Sequence, residues 1–355
     1  MSTATVSTKN TNILTSAQLP STTTPLMLVA SFGASFGLLA LLGGASIASG
    51  IILGTVVFFV ASFVLSSAVE GVRKAKDRFA RNLVTSFFIL ALFPLVSVIW
   101  GTLSKGLARF DGLFFNSSMR SVVGEGGGAV HAIWGTLIVT GLATLISVPI
   151  GVLTAVYLVE YGVKGRLANS IRFFVDVMTG IPSIVAGLFA YTIFSFVFGA
   201  GTNNGMAGAA ALSVLMIPTI VRSTEEMLRL VPNELREASY ALGVAKYRTI
   251  LRVVLPTSLA GIVTGVVLGI ARIIGETAPL LVTAGITASM NTNPFANPMA
   301  TLPVFVYYEY TTPGADPTPY IDRAWAGALT LILIVMGLNL IGRLIAAKFA
   351  PKSGR

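Results

Sequence analysis

Residues 25–69 contain no charged side chain, and this run constrains the fold more than any other feature of the sequence. A helix needs about 20 residues to cross the apolar part of a bilayer, so the run is long enough for two spans. Only 11% of the 355 residues are charged, whereas a soluble protein carries about 25%. Because so few charges cannot cover a surface that faces water on all sides, the sequence predicts an all-α polytopic membrane protein.

Similar uncharged runs recur along the chain and predict about eight transmembrane helices. They lie at 25–69 with a break near 43–50, and at 82–104, 132–159, 177–221 with a turn at 199–205, about 256–284 and about 324–342. The runs at 25–69 and 177–221 are each too long for one helix, so each is assigned two spans.

The distribution of basic residues predicts which side of the membrane each loop faces. Segment 70–81 carries five basic and two acidic residues, whereas 285–322 contains no Lys or Arg. Cytoplasmic loops of membrane proteins are enriched in Lys and Arg. The cytoplasmic side is therefore predicted to hold both termini and the segments 70–81, 160–172 and 222–252. The opposite side is predicted to hold 105–130, 199–205 and 285–322.

The composition argues against several classes of activity. The chain has no cysteine and one histidine, His131, so neither a thiol nucleophile nor a Cys- or His-based metal site is expected. It also lacks the GxxxxGK[ST] phosphate-binding loop, so any ATP must be bound by another chain. The net charge of +10 is assigned to cytoplasmic loops, because no basic face with interleaved aromatic residues indicates nucleic-acid binding. We therefore expect a chain that is not itself an enzyme.

The segment 222–252 gathers six Arg/Lys and four Glu residues and predicts two short helices outside the bilayer. Asn233 is a suitable N-cap, and Glu234 follows in the first turn, where negative charge suits the helix dipole. Gly243 can adopt the left-handed conformation that ends a helix, and Leu255-Pro256 opens the next span. Small or apolar residues recur at helical spacing, at Ala238, Ala241, Leu242 and Ala245. The segment is therefore either a docking surface for another protein or an amphipathic loop resting on lipid headgroups.

Two ionisable residues, Arg272 and Glu276, lie well inside the predicted seventh span. Each costs about 2.5–3.5 kcal/mol to insert, so such residues mark substrate pathways or buried pairs. Their spacing of four residues places them on one helix face, and Pro279 loosens the helix beside Glu276. The guanidinium, the Thr277 hydroxyl and the freed backbone would suit an oxyanion, with an interhelical salt bridge as the alternative.

Three further charges lie near the predicted cytoplasmic boundary. Arg222 ends the sixth span, where it either attracts an anion at the exit or extends to the lipid headgroups. Arg172 and Asp176, four residues apart, are interpreted as a pair at the interface.

Gly180 and Pro182 interrupt the fifth span, and such breaks line a substrate path or form a packing kink.

Two segments on the predicted outer side carry weaker signals. GEGGG at 124–128 lacks the strand-loop-helix context of a phosphate-binding loop, so it is assigned no role beyond flexibility. The segment 285–322 contains Asn, Thr and Pro but no basic residue. It is a candidate docking face for a binding protein, with a disordered loop as the alternative.

The stretch EASYALGVAKYRTILRVVLP at 237–256 resembles the EAA-type cytoplasmic loop of ABC importer permeases. The family pattern is E-A-A, three residues, G, nine residues and I-x-L-P, and it is matched at Glu237, Ala238, Gly243, Leu255 and Pro256. Ser239 stands for an alanine and Val253 for the isoleucine. The resemblance implies that the loop inserts into a cleft of separate ATP-hydrolysing subunits, which bind ATP and Mg.

RIIGETAPLL at 272–281 resembles the phosphate-importer branch of these permeases, in which a GETAPL run follows the EAA loop. Other stretches resemble the same branch: SVPIGVLTAVYLVEY (147–161), DVMTGIPSIVAGLF (176–189), MIPTIVRSTEEMLRLVP (216–232) and TLPVFVYY (301–308). The resemblance covers about 130–346 and implies the type I ABC importer permease fold, closer to the A-type than to the C-type of the permease pair. It implies as partners a second homologous permease subunit, two ATPase subunits and an extracytoplasmic phosphate-binding protein.

We therefore predict the permease subunit of an ATP-driven phosphate importer in the cell membrane. Residues 1–25 are predicted to form a flexible cytoplasmic tail, 26–82 an additional hairpin with a basic loop, and 83–350 the permease domain with its coupling loop at 222–256. The predicted substrate pathway comprises Arg222, Arg272, Glu276 and Thr277, and the predicted ATPase-coupling residues are Glu237, Ala238, Gly243, Leu255 and Pro256. The rival hypotheses are an ABC permease for sulfate or molybdate and an ion-coupled secondary transporter.

Overall fold

A computed structural model of the chain describes residues 19–43, 46–162 and 165–349. The predictions made for residues 1–18 and for the C-terminal end at 350–355 lie outside these ranges. The described residues form helices, turns and irregular segments, with no strand among them. This confirms the predicted all-α class. They fall into two compact units, one ending at Ile99 and one beginning at Trp100.

The N-terminal unit contains the helices α1 (Thr23–Leu41) and α2 (Ile47–Val69) and most of α3 (Val72–Gly106). Helices α1 and α2 form a tightly packed hairpin, since the rings of Phe36 and Phe32 lie where side chains at Gly50 and Gly54 would project. Ser46 caps α2 by accepting a hydrogen bond from the Ser49 N–H at 3.1 Å. The two helices agree with the two spans that the sequence predicts for the uncharged run at 25–69.

A polar cluster joins the three helices of this unit at one end. The Glu70 carboxylate accepts hydrogen bonds from the Leu19 N–H at 2.8 Å, the Ser66 hydroxyl at 2.7 Å and Arg78 at 2.9 Å. Burial alone would raise the pKa of Glu70, but these hydrogen bonds outweigh it and hold that pKa below its ordinary value. Glu70 is therefore a paired carboxylate that fastens the turn between α2 and α3.

The C-terminal unit contains the remaining helices. They are the end of α3, α4 (Gly112–Asn116), α5 (Val130–Val156), α6 (Arg166–Thr179), α7 (Ser183–Phe198), α8 (Gly205–Arg229), α9 (Asn233–Ala241), α10 (Lys246–Thr249), α11 (Leu255–Ile273), α12 (Ala278–Thr283), α13 (Leu302–Thr311) and α14 (Thr318–Phe349). Helices α5 and α8 pack closely at its centre. Their core includes Val139, Leu212, Met216 and Ile220, which are fully or almost fully buried together with Ile273 of α11. Gly151 of α5 lets Ile220 of α8 approach its backbone.

Seven of the described helices are long and apolar enough to cross a membrane, or eight with the bent pair α6–α7. This agrees with the predicted eight spans. Helices α6 and α7 meet at an angle of 110° across residues 180–182, where Gly180 and Pro182 predicted an interruption. Pro182 has no N–H to donate and its ψ of 137° is not helical, so the chain changes direction there.

The predicted seventh span at 256–284 is wrong as a single helix. Helix α11 ends at Ile273, and the short helix α12 begins only at Ala278. Pro279 occupies the first turn of α12, a position that suits proline because the N–H there has no helical partner. It therefore starts a new helix rather than loosening an existing one.

The segment 285–322 is folded, and the alternative of a disordered loop is wrong. The Met299 N–H donates to the Ala284 carbonyl at 2.9 Å, and the Met206 N–H donates to the Pro294 carbonyl at 2.8 Å. Helix α13 lies within the segment and buries Leu302, Val304 and Phe305. The last span is also longer than predicted, because α14 already begins at Thr318.

Candidate functional site

The segment that is predicted to lie in the cytoplasm and to couple the chain to a partner forms two short helices, α9 and α10. Residues 242–245 separate them, and Gly243 has a φ of +72°, the left-handed conformation that the sequence predicted. The chain then passes through a π-helical segment, Ile250–Val254, into α11, which begins at Leu255 and Pro256. Asn233 does not act as the N-cap, because Pro232 takes that position and Asn233 is the first helical residue. Pro232 has a φ of −59° and a ψ of 142°, so its own ring fixes the entry into α9.

The stripe predicted from small or apolar residues on this segment is exposed. Ala238, Ala241, Leu242 and Ala245 all face solvent, and Leu242 is 84% exposed. Glu237, which opens the EAA-like pattern, is exposed beside them. An apolar stripe on a polar, charged segment costs free energy in water, so its exposure indicates a surface that another chain or a lipid surface covers.

The opposite side of the segment is fastened to the end of α5 by a buried ion pair that the sequence did not reveal. Glu160 lies in a π-helical segment, Tyr157–Tyr161, which continues α5. Its Oε1 accepts hydrogen bonds from Arg236 Nη2 at 2.8 Å and from Arg236 Nε at 3.1 Å. Arg236 also donates to the carbonyls of Leu228 and Val231, at 2.9 and 2.6 Å. We call the Glu160–Arg236 pair with these two carbonyl contacts the clamp.

Two further contacts hold α9 and α10 in place. The Lys246 ammonium donates to the Glu160 carbonyl and lies 4.8 Å from the centre of the Tyr161 ring. The hydroxyls of Ser239 and Thr249 are 2.8 Å apart and buried, so they join α9 to the end of α10. Ser239 is one of the two positions at which the sequence departs from the EAA pattern, and its hydroxyl makes a contact that an alanine could not supply.

A second group of charges lies between α6 and the end of α8. Arg172 donates to Glu225 at 3.4 Å and to the Leu158 carbonyl at 2.9 Å, while Asp176 pairs with Arg222. The predicted pairing of Arg172 with Asp176 is therefore wrong, because each has a partner on α8 instead. Arg222 also lies 3.9 Å from Glu225. Two carboxylates therefore reduce the positive field that Arg222 would present to an anion.

The residues predicted to line the pathway lie at the break between α11 and α12. Arg272 is in the last turn of α11, is exposed, and donates from Nη1 to the Thr219 hydroxyl at 3.2 Å. Glu276 and Thr277 are half-buried in the four-residue connection. Arg272 and Glu276 do not share one continuous helix face, because α11 has ended before Glu276. Within the described part of the chain neither residue takes part in an ion pair, so the alternative of a salt bridge is not observed there.

The break is held in position by close helix packing. Pro279 of α12 lies directly against Gly187 of α7, where a Cβ on the glycine would come within 2.6 Å of the proline backbone. A Cβ on Gly208 of α8 would likewise lie 3.1 Å from the side chains of Leu280 and Ala284. Small residues at these contacts let the helix backbones approach closely. These contacts fix the end of the connection 274–277 that leads into α12.

The predicted outer side holds a buried ion pair that sequence reasoning also missed. Arg323, at the start of α14, is fully buried, and its Nε donates to Glu309 of α13 at 2.7 Å. Its Nη1 donates to the carbonyls of Gly124 and Gly126, at 2.6 and 3.1 Å. The interpretation of GEGGG as only a flexible stretch is therefore wrong. Gly124 and Gly126 have φ values of +81° and +87°, which turn their carbonyls toward one guanidinium.

Known proteins match this chain over most of its length. A family model described as "Binding-protein-dependent transport system inner membrane component" matches residues 147–355. "Phosphate transport system permease protein PstA 1" of Mycobacterium tuberculosis is 45% identical over 276 residues, which cover 77% of this chain and 89% of that protein. "Phosphate transport system permease protein PstA" of Yersinia pestis is 40% identical over 276 residues, covering 78% and 92%.

Solved structures agree with this result at the level of the fold. The structure of a bacterial ABC transporter involved in the import of the acidic polysaccharide alginate matches with a TM-score of 0.54 and 14% identity. The match covers 77% of this chain and 96% of that chain. Together with the sequence relatives and the arrangement of the helices, this confirms the predicted type I ABC importer permease fold. The chain belongs to the binding-protein-dependent inner membrane transport components, and within them to the phosphate transport system permease proteins of the PstA type.

Proposed function

We propose that the chain is the transmembrane permease subunit of an ATP-driven importer that carries inorganic phosphate into the cell. The observation that carries this proposal is the 45% identity to a phosphate transport permease over 89% of its length. The exposed apolar stripe on α9 and α10 supports it, because a permease of this kind needs a surface for an ATPase. The chain contributes the path through the membrane, and ATP and Mg are bound by the partner subunits.

The face of α9 and α10 is the proposed ATPase contact. Glu237, Ala238 and Gly243 belong to the exposed part, whereas Leu255 and Pro256 start the helix that follows. The clamp on Arg236 supports this role, because a docking element must be attached rigidly if it is to transmit movement. Closure of two ATPase subunits would push on this face and shift α8 and α11, the two helices to which it is connected.

Arg272, Glu276 and Thr277 are proposed to line the phosphate path, with Arg222 nearer the cytoplasmic end. Arg272 is exposed in the isolated chain, as expected for a residue that faces a pore formed with a second permease subunit. An arginine recognises the oxygens of phosphate through several parallel hydrogen bonds. The folded segment 285–322, without any Lys or Arg, is the proposed face for an extracytoplasmic phosphate-binding protein.

The test is reconstitution of the chain with its ATPase, its second permease and the phosphate-binding protein in lipid vesicles. We expect uptake of labelled phosphate that requires ATP and that a large excess of sulfate or molybdate does not reduce. Uptake blocked by sulfate or molybdate would assign the importer to another oxyanion. Uptake by the chain alone, driven by an ion gradient, would assign it to the secondary transporters. The same vesicles, probed by protease from outside, test the proposed cytoplasmic location of both termini.

A further inference from the structure

The N-terminal unit contains a polar cavity of about 580 Å³ that the proposed transport mechanism does not use. It lies where the start of α1, the end of α2 and the first turns of α3 meet. Its lining is Leu19, Ser21, Thr24, Glu70, Arg78, Arg81, Asn82 and Thr85. All three helices have the length and hydropathy of membrane spans. The cavity therefore lies at the ends of three spans, at the level where a membrane meets water.

The charges in the cavity leave one arginine for a ligand. The Arg78 guanidinium is bound to both carboxylate oxygens of Glu70 and to the Thr24 hydroxyl, so these two charges balance. The Arg81 side chain is exposed and has no hydrogen-bond or ion-pair partner among residues 19–43, 46–162 and 165–349. The cavity thus offers one uncompensated positive charge beside the hydroxyls of Ser21 and Thr24, whereas the Thr85 hydroxyl donates to the Arg81 carbonyl at 2.8 Å. This set matches a singly charged phosphate diester, whose oxygens accept hydrogen bonds.

The surroundings strengthen the attraction for an anion. Arg73, Lys74 and Lys76 lie on the first turns of the same helix, accompanied by one acidic residue, Asp77. Each basic residue close to an anionic membrane surface contributes about 1 kcal/mol to binding.

An apolar surface continues directly from the cavity. Phe88 lies one turn beyond Thr85 on the face of α3 that carries Arg81, and its side chain is 63% exposed. Leu28 lies one turn beyond Thr24 on α1 and is also exposed. A ligand that fits both parts has a phosphate group in the cavity and a hydrocarbon chain along the helices.

We propose that this cavity binds the headgroup phosphate of an anionic phospholipid, with Arg81 as the charged contact and Phe88 beside an acyl chain. Inorganic phosphate could contact Arg81 as the headgroup phosphate does. It has no hydrocarbon chain, however, that would contact the apolar surface. The site lies in the N-terminal unit and contains none of the residues proposed to line the transport path.

The test compares matched variants of the full-length chain in a neutral detergent. Phosphatidylglycerol is titrated, and bound lipid is counted by native mass spectrometry. We expect Arg81→Gln to weaken the first bound lipid about 5-fold, the equivalent of about 1 kcal/mol. Arg73→Gln removes the same charge from the same helix outside the cavity, and we expect less than about a twofold change from the screened surface charge. Arg81→Lys should retain part of the affinity.

Four outcomes would overturn the proposal. Equal weakening by Arg81→Gln and Arg73→Gln would show a diffuse field without a site. Equal affinity for phosphatidylcholine would exclude charge recognition. Displacement of the lipid by millimolar inorganic phosphate would assign the cavity to free phosphate. If Arg81→Gln melts at a lower temperature than the parent chain in phosphatidylcholine, Ser21→Ala takes its place, and unchanged lipid binding by that variant would also overturn the site.

Discussion

The clamp between Glu160 and Arg236 makes a quantitative prediction about stability. The side chains are 4% and 12% exposed, and both oppositely charged groups have left water. Arg236→Gln would leave the Glu160 carboxylate buried without its guanidinium partner. Breaking a buried pair in this way costs about 3–5 kcal/mol, because the remaining charge is uncompensated. Glu160→Gln should cost less, about 1–3 kcal/mol, since Arg236 keeps two carbonyl acceptors and the new amide oxygen still accepts one hydrogen bond.

The double variant distinguishes this pair from two unrelated residues. Glu160→Gln with Arg236→Gln removes both charges, so its cost should be smaller than the sum of the single costs by about 1–3 kcal/mol. Unfolding in mixed detergent micelles measures all three values. Arg229→Gln is the matched control, because Arg229 pairs with Glu225 at 2.5 Å but is 62% exposed. The buried Glu225 keeps Arg172 as a partner and Arg229 is largely in water, so the loss of this pair should cost about 1 kcal/mol or less.

The clamp should also affect coupling between ATP hydrolysis and transport. In the reconstituted complex we expect Arg236→Gln to lower phosphate uptake more than it lowers ATP hydrolysis, because a loosened α9 transmits less of the ATPase movement. Additive single-variant costs, or a cost for Arg236→Gln no larger than that for Arg229→Gln, would refute the reasoning about the pair. Uptake and hydrolysis that fall in parallel would refute its role in coupling.

Four other changes test separate parts of the molecule. Leu242→Asp places a charge on the exposed stripe, so it should leave the melting temperature unchanged and abolish co-purification of the ATPase; retained binding would contradict the docking face. Gly243→Ala forces a side chain into a φ of +72° and should cost about 1–2 kcal/mol in thermal unfolding, whereas a neutral result would contradict the left-handed turn. Arg272→Gln should abolish phosphate uptake while the complex still assembles, and unchanged uptake would remove Arg272 from the path. Because hydrogen bonds hold the pKa of Glu70 below its ordinary value, its contribution to stability is present above the ordinary carboxyl range and is lost as pH falls through the lowered pKa. Glu70→Gln should be less stable at neutral pH and lose less on acidification, and equal acid sensitivity would contradict the pairing.

Features that depend on neighbouring residues could be predicted from the sequence. The uncharged runs located the spans, because length and hydropathy are local properties of a segment. Gly243 was correctly placed in a left-handed turn, and Gly180 and Pro182 in a break, because backbone preferences act at the residue itself. At Pro279 the local rule predicted a disturbed helix, but it did not predict that a second helix begins there. Packing of Pro279 against Gly187 of α7 holds this second helix in place.

Contacts between distant residues could not be predicted in the same way. Glu160 and Arg236 are 76 residues apart, and each was read from the sequence only as a charge in a cytoplasmic loop. Gly124 and Arg323 are 199 residues apart, and no residue near GEGGG in the sequence indicates that its carbonyls bind an arginine. Asp176 was assigned to Arg172 by helical spacing, but the packing of α6 against α8 brought Arg222 closer. An isolated acidic or basic residue at the end of a span indicates from the sequence that the charge needs an oppositely charged partner. It does not indicate which residue that partner is.

The buried Arg323 also has a consequence for the order in which the C-terminal unit is assembled. It donates to Gly124 and Gly126, which precede it by almost 200 residues, and to Glu309, which precedes it by 14. Helix α14 follows every other described helix, so during synthesis the glycine turn and the Glu309 carboxylate enter the membrane before their shared cation exists. This end of the unit is therefore completed only once α14 has been inserted, and a ribosome that stops before α14 leaves a nascent chain in which the Glu309 carboxylate lacks the Arg323 guanidinium.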